Sequence, residues 1–404
     1  MGTTPKRYRA CLIGLGRIAD TIDDEQVGSG WLMPFSHMGS YSRVPEVEVV
    51  GAADLSAYQR ETFGRRWNIP PEDLFEEFEE MLERRQPDIV SVCTSAAPRA
   101  RIVLKIAEMV QAGKTRVRCL WVEKPIAMSL AEADAMVEAC RKAGIILITN
   151  VNRASDVYYL RARQLIDAGE LGTMQQVTAY GAGNLSHMGS HLLGTMCLLA
   201  GGSGRVKWVV GEVESDEKAW TDDDVRGNGY LAFENGVRGF FRMMPSGPAA
   251  WSFQAIGDKG MICIRESVGN PEFEFWRLGE VVPGAGPAPV RYAFPRPQEI
   301  WSPGVGQVKD AIACIETGKT PNSSGELGRH LLEIALAVRE SHRNGNVRID
   351  LPLKDRSLTI RSAETLHGDE PRALVNPNPR RRTGLLYEIA RNEGVGERPQ
   401  RSRH

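Results

Sequence analysis

The sequence predicts an α/β chain followed by an α+β part: an N-terminal doubly wound parallel sheet, then an open, mostly antiparallel sheet with helices on one face. Two observations carry this expectation. Over the first 150 residues, short apolar runs alternate with helical segments, the pattern of repeated β-α-β units. From residue 151 onward, strand-like runs follow one another across glycine, asparagine and aspartate turns, as hairpins do.

The first strand is Tyr8-Arg9-Ala10-Cys11-Leu12-Ile13, and it runs straight into Gly14-Leu15-Gly16-Arg17-Ile18-Ala19. A strand that ends in this pattern and opens a helix is expected to cradle a dinucleotide. Gly14 permits the tight turn, Gly16 lets the backbone approach a pyrophosphate, and Ala19 is small where helix and strand meet. The amides at Gly14, Gly16, Arg17 and Ile18, with the helix dipole, would face the phosphates. A second strand, Glu48 to Ala53, ends in Asp54, where such folds place the acceptor for ribose hydroxyls. That carboxylate favours NAD by repelling a 2′-phosphate, and the nearby Arg60 leaves NADP open.

Asp54 lies 40 residues after Gly14, against roughly 20 in the usual pattern. An insertion is implied. The breakers Asp23, Asp24, Glu25, Gly28, Gly30 and Pro34, with Trp31, Met33 and Phe35 as apolar anchors, put it between Asp20 and His37. A loop at the cofactor rim is expected there; a surface elaboration packed on the domain or on a second subunit is the alternative.

Helices are expected over Ala57 to Trp67, Leu74 to Arg85, Ala100 to Ala112 and Leu130 to Ala143, alternating with strands Asp88 to Cys93, Val117 to Val122 and Ile145 to Thr149. Ligands of such sheets bind beyond the carboxyl ends of the strands. Asp54, Thr94, Ser95, Glu123 and Lys124 all fall at such ends. The second part opens with a helix from Ser155 to Ala168. Strands follow at Val177 to Tyr180, Val206 to Val213, Gly229 to Phe233, Gly236 to Met243 and Met261 to Ile264, with Asn235-Gly236 as a hairpin turn. Helices Gln307 to Glu316 and Leu327 to Ser341 are expected to pack back on the first domain. The division is a dinucleotide-binding domain over 1–150, a substrate-binding and oligomerisation domain over 151–355, and a basic tail or arm over 356–404.

At 404 residues, with 42% hydrophobic and 25% charged residues, the composition is that of a globular protein with two cores. A net charge of −1 gives no reason to bind nucleic acid or an anionic membrane. No apolar run is long enough to span a bilayer, and with the first strand so early a signal peptide is not expected. Seven cysteines without a paired spacing are expected to be reduced, as in the cytoplasm. The tail, with Arg380-Arg381-Arg382 and a short apolar set at Leu385, Leu386 and Ile389, reads as a solvated arm or one that docks on a neighbouring subunit.

The glycine turn with Asp54, Val92-Cys93-Thr94, Glu123-Lys124-Pro125, Asn152-Arg153, Gly189-Ser190-His191 and the final Leu351-Pro352-Leu353 together resemble the Gfo/Idh/MocA family of sugar and cyclitol oxidoreductases, over roughly residues 8 to 355. The resemblance implies a Rossmann-type domain, an open sheet used in homodimers or homotetramers, and hydride transfer between a nicotinamide cofactor and a secondary alcohol. It places Lys124 by the nicotinamide and the substrate hydroxyl. A fixed ammonium there stabilises developing alkoxide charge, and Pro125 restricts the lysine backbone to an extended form. Glu123 would orient Lys124 or a ribose. His191 matches the family's histidine, the candidate base for the hydroxyl proton.

The chain departs from the family at two positions. Where an aspartate usually stands four residues before the histidine, this chain has His187, and where one often stands three residues after it, Gly194. An imidazole supplies no fixed negative charge, so His187 is expected to share a proton or bind substrate. The spacing of His187 and His191 fits one helix face, but no glutamate base or third ligand accompanies them, so no metal is expected. Arg99 stands where many members carry histidine; it would form a salt bridge on its helix or hold an anionic substrate. Asn152, Arg153, Tyr158 and Tyr159 lie at the domain junction as candidate contacts to a polyhydroxylated ring, with the tyrosines equally fit for the core. Two further functions stay open: a redox-neutral enzyme that cleaves or eliminates a glycoside through transient oxidation, and a sugar-sensing regulator without turnover.

Overall fold

The computed structural model describes residues 7–26, 32–244, 251–266, 271–282, 284 and 286–361. Six parallel strands, β1 (Tyr8–Ile13), β2 (Val47–Ala53), β3 (Leu74–Phe75), β4 (Ile89–Val92), β5 (Cys119–Val122) and β6 (Ile146–Thr149), form one sheet in the order β3-β2-β1-β4-β5-β6. The order reverses beside β1, which opens a crevice at the carboxyl ends of β1 and β4. Gly14 and Thr94 face each other across it.

The helix that the glycine turn opens is interrupted within the stretch from Asp20 to His37 where the sequence places an insertion. Its first turn closes where Ala19 N donates to Gly16 O at 3.1 Å. The chain then leaves through a 3₁₀ turn at Thr21–Gln26 and returns at α1 (His37–Ser42). There His37 N donates to Ile18 O at 3.1 Å and Met38 N to Ala19 O at 3.0 Å. In an unbroken α-helix those carbonyls would be reached four residues on, at positions 22 and 23. The insertion is therefore residues 22–36, spliced into one helix after its first turn. Without those 15 residues Asp54 follows Gly14 by 25, near the usual interval.

The described parts of the inserted segment pack on its own domain. Asp23 accepts from Phe35 N at 2.7 Å, Ser36 N at 3.0 Å and Ser36 Oγ at 2.6 Å, while Ser36 Oγ caps α1 at Gly39 N. Arg66, in the last turn of α2 (Ala57–Trp67), forks onto Asp24 and reaches Asp20, which also accepts from Trp67 Nε1. The expected breakers Gly28 and Gly30 and the expected anchor Trp31 lie outside the described residues.

Two helix expectations need correction. Leu74 to Arg85 is not one helix: Leu74–Phe75 pairs with Ala52–Ala53 as the edge strand β3, and α3 covers Phe78–Arg85. Helical spacing alone cannot exclude a two-residue strand at a sheet edge. Helix α4 runs Ala96–Gln111 rather than from Ala100, because Pro98 is tolerated in a first turn. Helix α5 (Leu130–Ala143) begins with a capping box between Ser129 and Glu132.

The second sheet has nine strands: β7 (Met174–Ala182), β8 (Val206–Val213), β9 (Gly227–Phe233), β10 (Arg238–Met244), β11 (Trp251–Gly257), β12 (Gly260–Glu266), β13 (Glu272–Val282), β14 (Gly286–Tyr292) and β15 (Ile349–Asp350). Their order is β14-β13-β12-β11-β7-β10-β9-β8-β15, antiparallel apart from the β7–β10 pair. Helix α6 (Val157–Asp167), capped by Asp156, and α7 (Gly189–Leu199) follow the junction; α8 is Asp216–Ala219. Helix α9 (Pro303–Thr317) returns to the parallel sheet, where Val305, Val308, Ala311 and Ile315 pack with Leu12, Ile89 and Trp121. Helix α10 (Gly325–Arg343) is buried along most of its length.

Residues 356–361, expected to start the tail, instead run beside 128–131: Ala131 N donates to Arg356 O at 2.9 Å and Ile360 N to Met128 O at 2.8 Å. Arg356 also pairs with Asp134 and Glu333. Arg380-Arg381-Arg382, Leu385, Leu386 and Ile389 lie outside the described residues.

Candidate active site

The glycine turn has the shape a dinucleotide needs. Gly14 sits at φ +83°, and a Cβ there would meet Thr94 at 3.1 Å. A Cβ on Gly16 would meet nothing within 4 Å, so the backbone borders open space on that side. The N–H groups of Gly16, Arg17 and Ile18 donate to no described residue, while Leu15 N donates to Asp54 Oδ2 at 2.7 Å and Ser56 N to Asp54 Oδ1 at 2.8 Å. Each carboxylate oxygen keeps a lone pair for a ribose hydroxyl. These residues therefore fit a dinucleotide. The side chain of Arg17, in contrast, is forked onto Glu25 at 2.6 and 2.7 Å, and that of Ile18 packs against the core. Arg60 donates to Asp54 O and Leu55 O, beside the same carboxylate. Thr94 closes the turn from β4, and Ser95 is the residue before α4, with no side-chain cap bond.

One strand over, Glu123 and Lys124 follow β5. Glu123 is buried, and its carboxylate accepts from His37 Nε2 at 3.1 Å, from Asn150 Nδ2, and from the Lys124 backbone N–H at 3.2 Å. Burial pushes this carboxyl up, but the His37 hydrogen bond and charge, Lys124 and Asn150 outweigh it and hold it at about 2. Glu123 thus orients the lysine backbone.

The Lys124 ammonium reaches His187, at 3.2 Å from Nε2 and 3.4 Å from Nδ1. His187 lies in the loop before α7. Its backbone N–H, like that of Ser186, is held by the buried Asp224, at 2.8 Å each. Burial, then Lys124, push the His187 imidazole down to about 2, so it stands neutral and can accept from the ammonium. His191 follows in the first turn of α7. Burial, then the charges of Lys124 and Arg153, push it well below the usual histidine range. Its Nδ1 is buried with no hydrogen-bond partner among the described residues. The structure thus gathers Lys124, His187 and His191 into one cluster beyond the parallel strand ends.

Arg99 ties two loops together. Fully buried, it donates to the backbone carbonyls of Thr94 and Pro125, in the loops after β4 and β5. Asn152 and Arg153 lie on a 3₁₀ turn at Asn152–Ser155. Asn152 Oδ1 is buried without a described partner. Arg153 is held by Glu266 at the end of β12 through Nε and Nη2, and its guanidinium lies 4.7 Å over the Trp251 ring. Tyr159 donates to the same glutamate and is a core residue, while Tyr158 stacks on Phe273 at 5.6 Å.

Sequence reasoning missed His37, Asn150, Asp224 and Glu266. Asn150 follows a strand end, a position that flags ligand-side residues; the other three carry no local signal, because packing alone brings them in. No cluster of three or more histidine, cysteine, aspartate or glutamate side chains suited to a metal occurs among the described residues.

A glycine turn that ends the first strand of a switched parallel sheet, with a lysine–histidine cluster beyond the strand ends and a second, open sheet, is a scaffold of the dinucleotide-binding type. Residues 25–151 match the family model GFO_IDH_MocA, described as oxidoreductase family, NAD-binding Rossmann fold, which supports the resemblance to the Gfo/Idh/MocA family over that part of the chain. D-apiose dehydrogenase of Paraburkholderia graminis is 29% identical over 150 residues, 37% of this chain and 34% of that protein. Myo-inositol 2-dehydrogenase of Thermotoga maritima is 31% identical over 101 residues, 25% and 28% of the two chains. The matches thus span about a third of the length of these two curated relatives. Among solved structures, an aldose-aldose oxidoreductase from Caulobacter crescentus superposes with a TM-score of 0.68 at 20% identity, over 86% of this chain and all of that one. An inositol dehydrogenase homolog from Azotobacter vinelandii, solved with NADH and myo-inositol, gives 0.62 at 16%, over 85% and 98%. These likenesses show the fold.

Proposed function

We propose that this protein is an NAD(P)-dependent dehydrogenase or reductase acting on a secondary alcohol of a sugar, sugar acid or cyclitol. The observation that carries this reading is the approach of the Lys124 ammonium to His187 at 3.2 Å, with His191 in the same cluster. Gly14, whose N–H donates to Ala53 O at 2.8 Å, would shape the turn, the amides of Gly16, Arg17 and Ile18 would hold the pyrophosphate, Asp54 the ribose, and Thr94, Ser95 and Glu123 the rim of the nicotinamide end. NAD supplies the hydride acceptor when bound; the carboxylate of Asp54 favours it over NADP.

The chain's own groups then account for the proton and the charge. His191, kept neutral, takes the hydroxyl proton on its ring nitrogen. Lys124 steadies the alkoxide as charge builds on oxygen, and it is pre-placed, so little reorganisation is needed. His187 accepts from the ammonium and fixes its direction, the task an aspartate would otherwise do with a charge. Asn152 offers its unpartnered carbonyl oxygen to a substrate hydroxyl. Arg153 serves the site through Glu266 rather than by direct contact.

Trp208, Tyr230 and Phe240 form a ring cluster on the nine-stranded sheet, with centroids 5.2 and 4.9 Å apart, and Phe240 and Tyr180 are exposed. This face supports a homodimer or homotetramer. Seven free cysteines fit a cytoplasmic protein, and none of the described helices is long and apolar enough to cross a membrane.

The test is ultraviolet absorbance of NADH with purified protein, NAD or NADP, and a panel of sugars, sugar acids and inositols. NADH formation that disappears in Lys124→Met and His191→Ala is the expected result. A consumed glycoside with no net NADH would turn the reading to redox-neutral chemistry, and no turnover at all to a sensor.

A further inference from the structure

Behind Lys124 runs a buried chain of hydrogen bonds that the reaction above does not use. Tyr41 Oη lies 2.8 Å from Ser91 Oγ, which lies 2.8 Å from His37 Nδ1. His37 Nε2 lies 3.1 Å from Glu123 Oε1, and Glu123 Oε2 accepts the Lys124 backbone N–H. A carboxylate only accepts, so His37 carries a proton on Nε2. The His37 ring stacks on Trp121 with centroids 3.7 Å apart, which leaves the imidazole no other direction. Its place on α1 is set by the bonds of His37 N to Ile18 O and Met38 N to Ala19 O. The helix whose first turn forms the glycine cradle therefore also aims at the residue before the lysine.

We propose that His37 is a positioning residue for Lys124: by holding Glu123 as a carboxylate, it fixes the lysine backbone and keeps a negative charge adjacent to the ammonium. The physical reason is the cost of an isolated buried charge. Glu123 is shut off from water, and with one of its donors gone the carboxyl would take up a proton instead. Lys124 would then lose a favourable neighbour among His187 and His191 from α7 and the loop before it, Asp224 from the loop before β9, and Arg99 from α4. Around Glu123 itself stand His37, Asn150, Lys124 and Cys93.

The inference rests on Lys124 as the reacting cation, but its test needs no turnover. Acylation of Lys124 by acetic anhydride, read by peptide mass spectrometry across a pH series, reports the ammonium in the protein without substrate. In His37→Phe, which keeps a ring on Trp121, the labelling midpoint should fall by about one pH unit, so that labelling at neutral pH rises about tenfold. Glu123→Gln should do the same, the double variant no more, and His37→Gln should recover most of the wild-type profile. A wild-type profile in folded His37→Phe, or two effects that add, overturns the proposal. If His37→Phe does not fold, Ser91→Ala carries the same expectation at smaller amplitude, and an unchanged profile there overturns it equally. Coupled labelling in a protein that oxidises no alcohol would count against the proposed activity alone; uncoupled labelling would count against His37 alone.

Discussion

The Lys124 ammonium faces the His187 ring at 3.2 Å from Nε2 and 3.4 Å from Nδ1, and this contact has a consequence for stability as well as for chemistry. Burial, then Lys124, hold the folded-state pKa of His187 at about 2, against about 6.5 in an unfolded chain. Below that unfolded value the unfolded chain binds the extra proton and the folded one does not. Stability is therefore full above about pH 6.5 and falls as pH falls, by up to about 1.4 kcal/mol per pH unit for such a group. His191 is pushed the same way. Between about pH 7 and about pH 5.5 few carboxylates titrate, so histidines dominate the slope. His187→Gln should flatten it by roughly 1 kcal/mol across that window, read from urea unfolding at each pH. An unchanged slope would show that His187 takes up its proton in the folded state.

Glu266 is the hub of a second network, fully buried, with Arg153 forked onto it and Tyr159 donating to it. Removing one member leaves a buried cation without its partner, which costs about 3–5 kcal/mol. Glu266→Ala should lose that much stability. Replacing both charges, Arg153→Met with Glu266→Leu, should lose much less, because no uncompensated charge remains. Equal losses in the single and double variants, by denaturant titration, would show that the pair's packing rather than its charge matters.

Much of the scaffold was legible because its signals are local. The apolar run Tyr8–Ile13 with Gly14 marks the crevice, and Asp54, Thr94 and Glu123 follow strand ends that the apolar runs make readable. Glu266 and Asp224 stood beyond reach: each is one acidic residue among 51, and only the sheet that carries it past the junction, or the loop that turns it onto Ser186 and His187, gives it a role. The ion pair of Arg153 was out of reach for the same reason, since its partner lies 113 positions away. The tail boundary at 356 failed because Arg356 looks basic and solvated in sequence, whereas Asp134 and Glu333 await it in space. His37 was hidden by the insertion, which separates it from the glycine turn it belongs to.

That separation yields the sharpest test of the fold. Because His37 N bonds Ile18 O and Met38 N bonds Ala19 O, deleting residues 22–36 joins Thr21 to His37 in the register of one continuous helix. The deletion removes the bonds of Arg17 to Glu25 and of Arg66 to Asp24, which are exposed pairs worth little. The shortened protein should fold, with α1 still presenting His37 to Glu123. Deleting one residue more or fewer turns α1 by about 100° against the first turn, which swings His37 away from Glu123 and Trp121 and buries polar surface in their place. Those two variants should unfold several degrees lower or not fold at all, by circular dichroism. If all three deletions behaved alike, α1 would be docking on the sheet by itself, and the helix would not be one element divided by an insertion.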